Sequence, residues 1–160
     1  MKKVISILLM LMLVVSVFAG CGGDKKGDDS KKDDGAAALK DGTYTAEEPD
    51  FDEKSGWKDN VTLEVKDGKI ASVDWNSTHK DGGKDKKTSS KDGDYGMVAH
   101  GDAVAEWHEQ AEKVEAFLIE KQDVNAIELK DGGKTDTVAG VTMIVGGFVD
   151  MVKDALSKAK

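Results

Sequence analysis

Asp136-Thr137-Val138-Ala139-Gly140-Val141-Thr142, running without a break into Met143–Lys160, is the stretch on which the reading of this chain turns. Ile144, Phe148, Met151, Val152, Ala155 and Leu156 recur at three- and four-residue steps. That spacing puts side chains on one face of a helix, so an amphipathic helix is expected over Met143–Lys158. Thr142 stands just ahead of it, where a helix takes an N-cap hydroxyl, and Gly140 supplies backbone freedom to the turn before. A hydroxyl at a helix N-terminus is also where a phosphate is well held. The N–H groups of the first turn point outward there, and the helix dipole favours negative charge.

Upstream of this segment, Gly101–Gln122 reads as a second long helix with Asp102 as its cap. Val104, Trp107, Ala111, Val114, Phe117 and Leu118 share one face, and Glu109 with Lys113 forms an outward pair at the favourable spacing. Val124–Leu129 alternates weakly and reads as a short strand leading through Asp131-Gly132-Gly133 to the motif. Nearer the start, Thr43-Tyr44-Thr45 follows an Asp-Gly turn with strand-forming residues. Val61, Leu63 and Val65 alternate with polar neighbours, Asp67-Gly68 marks a hairpin, and Ile70 to Trp75 makes the returning strand. One face of that hairpin needs cover, which two helices provide. The expected fold is therefore α+β, a small antiparallel sheet packed by two helices. Thr78–Asp94 is Lys, Asp, Gly and Ser with nothing evident to bury, the composition of a mobile loop.

The first twenty residues read as an address. Lys2 and Lys3 precede the apolar run Val4–Phe18, which is shorter than the roughly twenty residues a membrane span needs. The run ends in Phe18-Ala19-Gly20-Cys21, similar to a bacterial lipobox, and Cys21 is the only cysteine of the 160 residues. An intrachain disulfide is thereby ruled out. The expected organisation is a lipoprotein signal peptide over 1–20, a lipid-anchored flexible linker over 21–40, and a folded domain over 41–160. The linker is Gly, Asp, Lys and Ser without apolar pattern until Ala36–Leu39, so it buries too little to offset the entropy of ordering.

The motif carries a family resemblance. Asp136-x-x-Ala139-Gly140-Val141-Thr142 resembles the Asp-x-x-(Ser/Thr)-Gly-Ala-(Thr/Ser) signature of the FMN-binding domain. The pieces Asp41–Ala46, Val61–Val73, Gly56-Trp57-Lys58 and Glu120-Lys121-Gln122-Asp123-Val124 are similar to parts of the same family in the same order, most of all to lipoproteins described as membrane-anchored immunogens. Ala139 stands where that signature has Ser or Thr, and Val141 where it has Ala. The resemblance implies an FMN cofactor joined through a phosphodiester to Thr142, with Gly140 and Asp136 belonging to the signature read by a separate flavin transferase. It implies a redox carrier in electron transport at the extracytoplasmic face of a cell membrane, held there by an acylated (palmitate-type) Cys21, and not an enzyme with its own turnover. The alternative is a cofactor-free surface lipoprotein that binds a partner or ligand with the same fold.

Composition narrows the other classes. With a formal net charge of −8 and all of its basic residues Lys, the chain offers no clustered cationic surface for nucleic acid. His79, His100 and His108 lack metal-ligand spacing, the acidic stretch Glu47–Glu53 fits no calcium loop, and no Gly-x-Ser-x-Gly elbow occurs. No metal and no catalytic residue is therefore expected. Trp57, Trp75, Trp107, Tyr44 and Tyr95 are each either core residues or stacking partners for a flavin ring, and the residues alone do not choose between these roles. His108 reads as an amphipathic helix position beside Trp107.

Overall fold

The computed structural model describes residues 38–101 and 103–160. The signal peptide, Cys21, almost all of the linker and Asp102 lie outside the described residues. Three strands form an antiparallel meander in the order β1 (Gly42–Glu47), β2 (Trp57–Lys66), β3 (Lys69–His79). Helices α1 (Lys86–Lys91), α2 (Met97–His100), α3 (Trp107–Lys121) and α4 (Gly146–Ser157) follow, so the fold is α+β as expected. None of these helices is long and apolar enough to cross a membrane.

The hairpin turns at Asp67 and Gly68, with φ of 53° and 71°. Positive φ at both central residues is what a type I′ two-residue hairpin loop requires, and Asp-Gly supplies it at low steric cost. Val61 pairs with Trp75 and Leu63 with Val73, which places four apolar side chains on one face. A bulge beside Glu64 and Val65 changes the register and brings Ile70 onto the same side as Val73 despite their odd spacing. α3 and α4 cover this face with Ala111, Val114, Leu118, Phe148, Val149, Val152 and Ala155. Leu39 packs against the same core and the Lys40 N–H donates to the Ala159 carbonyl at 2.7 Å, so these two residues ahead of Asp41 are part of the packed domain.

Several expectations are corrected. α4 begins at Gly146, four residues after Thr142, and its N-cap position is Val145 without a side-chain cap. From Val141 to Val145 burial alternates: Val141, Met143 and Val145 are inside, Thr142 and Ile144 outside. This is the period of extended chain, and it breaks the helical stripe in which Ile144 was the first member. Similarly, α3 begins at Trp107 and leaves Val104 exposed. The reason is Glu106, whose side chain closes a capping box with Glu109 and also accepts from the Met97 and Val98 N–H groups of α2 at 2.8 and 3.2 Å. One carboxylate thus serves two helix starts, and Glu109 is engaged in the cap and not in a pair with Lys113. Val124–Leu129 is not a strand: a short 3-10 turn, Val124–Ala126, is capped by Asp123.

The largest correction concerns Thr78–Asp94. β3 continues to His79, and α1 folds back with Lys86, Ser89 and Ser90 buried. Asp85 caps α1 by accepting from the Thr88 N–H at 2.9 Å, and Asn76 on β3 links to both, donating to Asp85 and accepting from the Lys87 N–H. Glu115 of α3 accepts from the Trp75 N–H at 2.6 Å and from Lys87 at 2.7 Å, tying strand, α1 and α3 together. Burial pushes the Glu115 carboxyl above its ordinary range, opposed by the Lys87 ammonium and the Trp75 N–H.

Candidate functional site

Where the start of β2, α1 and the start of α4 converge, a cleft of about 570 Å³ opens. Its size lies within the about 300–1,000 Å³ typical of small-molecule sites. Trp57, Trp75, Tyr95, Trp107 and Phe148 provide its aromatic walls. Trp75 is the keystone, with its ring centroid 4.8 Å from Phe148 and 5.4 Å from Trp107. Trp57 is held edge-on by His79 at 5.0 Å and by Tyr95 at 5.9 Å. Of the five aromatic candidates four therefore reach the cleft, while Tyr44 lies elsewhere, its hydroxyl donating to the Lys40 carbonyl. Trp75 and Trp107 are both core and cleft wall, so the two readings of them were not exclusive.

The strand pattern explains how a carboxylate enters this apolar wall. Trp57, Asp59, Val61, Leu63 and Val65 share one face of β2. Asp59 accepts from the Trp75 indole N–H at 3.2 Å and from the Ser77 hydroxyl, both on the neighbouring strand. Lys86, from the first turn of α1, projects its ammonium into the same space. Its Nζ lies 4.9 Å from the Trp107 ring, 5.2 Å from Tyr95 and 5.7 Å from Trp57. The Asp59 carboxylate is 3.8 Å away, an ion pair beyond hydrogen-bond reach. Burial pushes Lys86 below the usual lysine range, against the opposing pull of Asp59, Glu48 and Asp52. Burial, then the Asp59 charge, raises Tyr95 above the ordinary phenol range.

Thr142 stands at the mouth. It lines both the cleft and an adjoining hollow of about 400 Å³ shared with Met97, His100, Gly101, Ala103 and Lys134. Gln110, fully buried on α3, fixes this segment: its Oε1 accepts from the Thr142 N–H at 2.7 Å and the Met143 N–H at 3.1 Å, while its amide donates to the Ala105 carbonyl. Gly140 has φ of 75° and forms the turn, with its carbonyl facing Lys113. Asp136 is exposed, pairs with Lys130 and does not line the cleft. Of the three signature residues, then, only Thr142 touches the cleft. Val141 is buried in the core, so its branched side chain does not crowd the Thr142 hydroxyl.

Lys86, Asp59 and Gln110 are absent from the sequence reading. The alternation of β2 would have flagged Asp59, and Asp85-x-x-Thr88 is a cap signal for α1. Nothing local marks Gln110, whose role depends on a loop 32 residues away. Replacing it with Leu leaves two backbone N–H groups unsatisfied, so Gln110→Leu is expected to cost about 2–4 kcal/mol in urea unfolding. A cost under about 0.5 kcal/mol would show that the loop re-forms its bonds elsewhere.

Among the described residues no group of His, Cys, Asp or Glu is arranged to hold a metal ion. Fold and cleft together define a class: a small α+β domain with an aromatic-walled pocket that opens beside a threonine. Neither a family model nor a curated protein matches the chain. Solved structures do. The solution NMR structure of a Clostridium thermocellum protein is 60% identical, with 76% of this chain and 93% of that one covered and a TM-score of 0.58. The crystal structure of a Clostridium perfringens protein is 28% identical over 76% of this chain and 88% of that one, with a TM-score of 0.59. The chain belongs to the family of the Clostridium thermocellum protein.

Proposed function

We propose that the chain is an exported, lipid-anchored carrier of FMN, held on Thr142 by a phosphodiester that a separate flavin transferase installs, and that it passes electrons at the extracytoplasmic face of a cell membrane. The observation that carries this reading is the position of the Thr142 hydroxyl, exposed at the mouth of a cleft walled by aromatic rings. The residues present fit the group. Trp57, Tyr95 and Trp107 offer apolar faces for a planar ring, and Lys134, which lines both hollows with Thr142, offers a cation for the remaining phosphodiester charge. FMN supplies reversible electron transfer when bound. The protein's part is to seat the ring against its aromatic walls, exclude water with Phe148 and Met143, and hold the acceptor loop through Gln110. Asp136 and Gly140 act at the surface, where a modifying enzyme reaches them; they form no part of the pocket wall.

Cys21 is the anchor in this reading, and the Asp-, Lys- and Gly-rich linker is its spacer. Intact mass of the protein from salt-washed membranes of cells co-expressing a flavin transferase tests both parts. The expected product starts at Cys21, carries acyl chains there and contains one FMN. Acylated protein without the FMN increment would favour the cofactor-free surface lipoprotein, and unacylated protein found only in the soluble fraction would remove the anchor.

A further inference from the structure

We propose that Lys86 is a ligand-binding residue, the donor that receives the acceptor edge of a planar heteroaromatic ring seated among Trp57, Tyr95 and Trp107; the assignment deepens the flavin reading and rests on it. The residue is only 8% exposed, yet its ammonium makes no hydrogen bond to the described residues. Among the described side chains no fully enclosed nitrogen or oxygen lacks a partner. The Lys86 ammonium, which has none, must therefore open onto the cleft that it lines. A buried ammonium without acceptors is costly, and protein folds seldom keep one that serves packing alone.

The surroundings specify what it would take. Three aromatic rings around a cation resemble a cage for quaternary ammonium ligands, but here the cage already holds the protein's own charge. A cationic ligand is thereby disfavoured. Asp59 is spent on Trp75 and Ser77, so it orients the ammonium from the side and leaves its N–H groups for an incoming acceptor. A second set of donors lies beside the same cleft. The N–H groups of Gly146, Gly147 and Phe148 at the start of α4 have no partner among the described residues, and Gly147 and Phe148 line the wall. Glu48 Oε1 lies close to Gly147, which screens that helix terminus from a further anion and leaves Lys86 as the principal donor. The ring imide of a flavin, two carbonyl oxygens flanking a nitrogen, is an acceptor edge of the required kind.

Riboflavin tests this without Thr142, because it has the ring and lacks the phosphate. The full chain, purified from cells without a transferase, is titrated with riboflavin and read by quenching of flavin fluorescence. Wild type is expected to bind, and Lys86→Met to bind about ten- to a hundred-fold more weakly, the loss of one hydrogen bond to a charged donor. Lys86→Arg keeps the charge and should retain part of the affinity. Ligand-free Lys86→Met should unfold at the wild-type temperature or above it, since a buried charge is replaced by a thioether. Unchanged affinity in Lys86→Met overturns the proposal. A clear fall in its unfolding temperature also overturns it, by making the ammonium a structural staple. Failure of wild type to bind riboflavin, while the membrane-derived protein carries the FMN mass, overturns it and leaves the flavin carrier intact; absence of both removes the two readings together.

Discussion

On the proposed FMN attachment, Thr142→Ala is expected to abolish the FMN increment in intact mass and the in-gel flavin fluorescence of protein co-expressed with a transferase, and to leave stability almost unchanged. Both halves of this expectation follow from the site. A phosphodiester needs the hydroxyl oxygen, so no covalent flavin survives its removal, whereas Thr142→Ser keeps an oxygen in place. Stability is spared because Thr142 is not the N-cap of α4; its side chain is exposed and its hydroxyl reaches only Gln110 Oε1, at 3.4 Å. The main anchorage of the loop is the Thr142 N–H, which alanine retains. Unfolding in urea should therefore shift by no more than about 0.5 kcal/mol, compared with about 1 kcal/mol for a lost cap. An FMN increment that persists in Thr142→Ala would place the flavin on another residue.

Phe148→Ala has the largest expected effect on the fold. The ring is fully buried, lies 4.8 Å from Trp75 and belongs at once to the core and to the cleft wall. Truncation removes apolar burial and leaves a cavity under Trp75, which the surrounding strands and α3 fill only in part. The expected cost is about 3–5 kcal/mol. Against a domain stability of about 5–15 kcal/mol this is a large share. The readout is the urea midpoint of the full chain. A loss below about 1.5 kcal/mol would mean that Trp75 and Met143 collapse into the space, and that the cleft floor is softer than its packing implies.

Much of this architecture is legible in local pattern. The alternation of Val61, Leu63 and Val65 and the Asp67-Gly68 turn specify the hairpin, because side chains on a strand alternate strictly and few residues tolerate positive φ. The stripe Phe148, Met151, Val152, Ala155 specifies α4 for the corresponding reason at helical period. Thr142 was also legible as a functional candidate, through the motif that contains it. What the pattern misassigned are the places where a segment obeys a distant partner. Ile144 fits the helical stripe by spacing, but the Val145 N–H is drawn to the Gly133 carbonyl at 2.8 Å and Gln110 holds the two residues before Ile144, so the helix does not start until Gly146. Thr78–Asp94 has almost no apolar residues, and hydrophobic period therefore reports nothing about it. It folds nonetheless, because Asn76, Asp85, Glu115 and Lys87 satisfy one another across β3, α1 and α3. Hydrogen bonds of that kind are directional and specific to partners far apart in sequence, whereas apolar burial depends mainly on area and can be read along the chain. The sequence by itself determined the sheet, the two long helices and Thr142 as a candidate residue; only the tertiary structure decided that a lysine from an apparently featureless loop would stand inside the aromatic cleft.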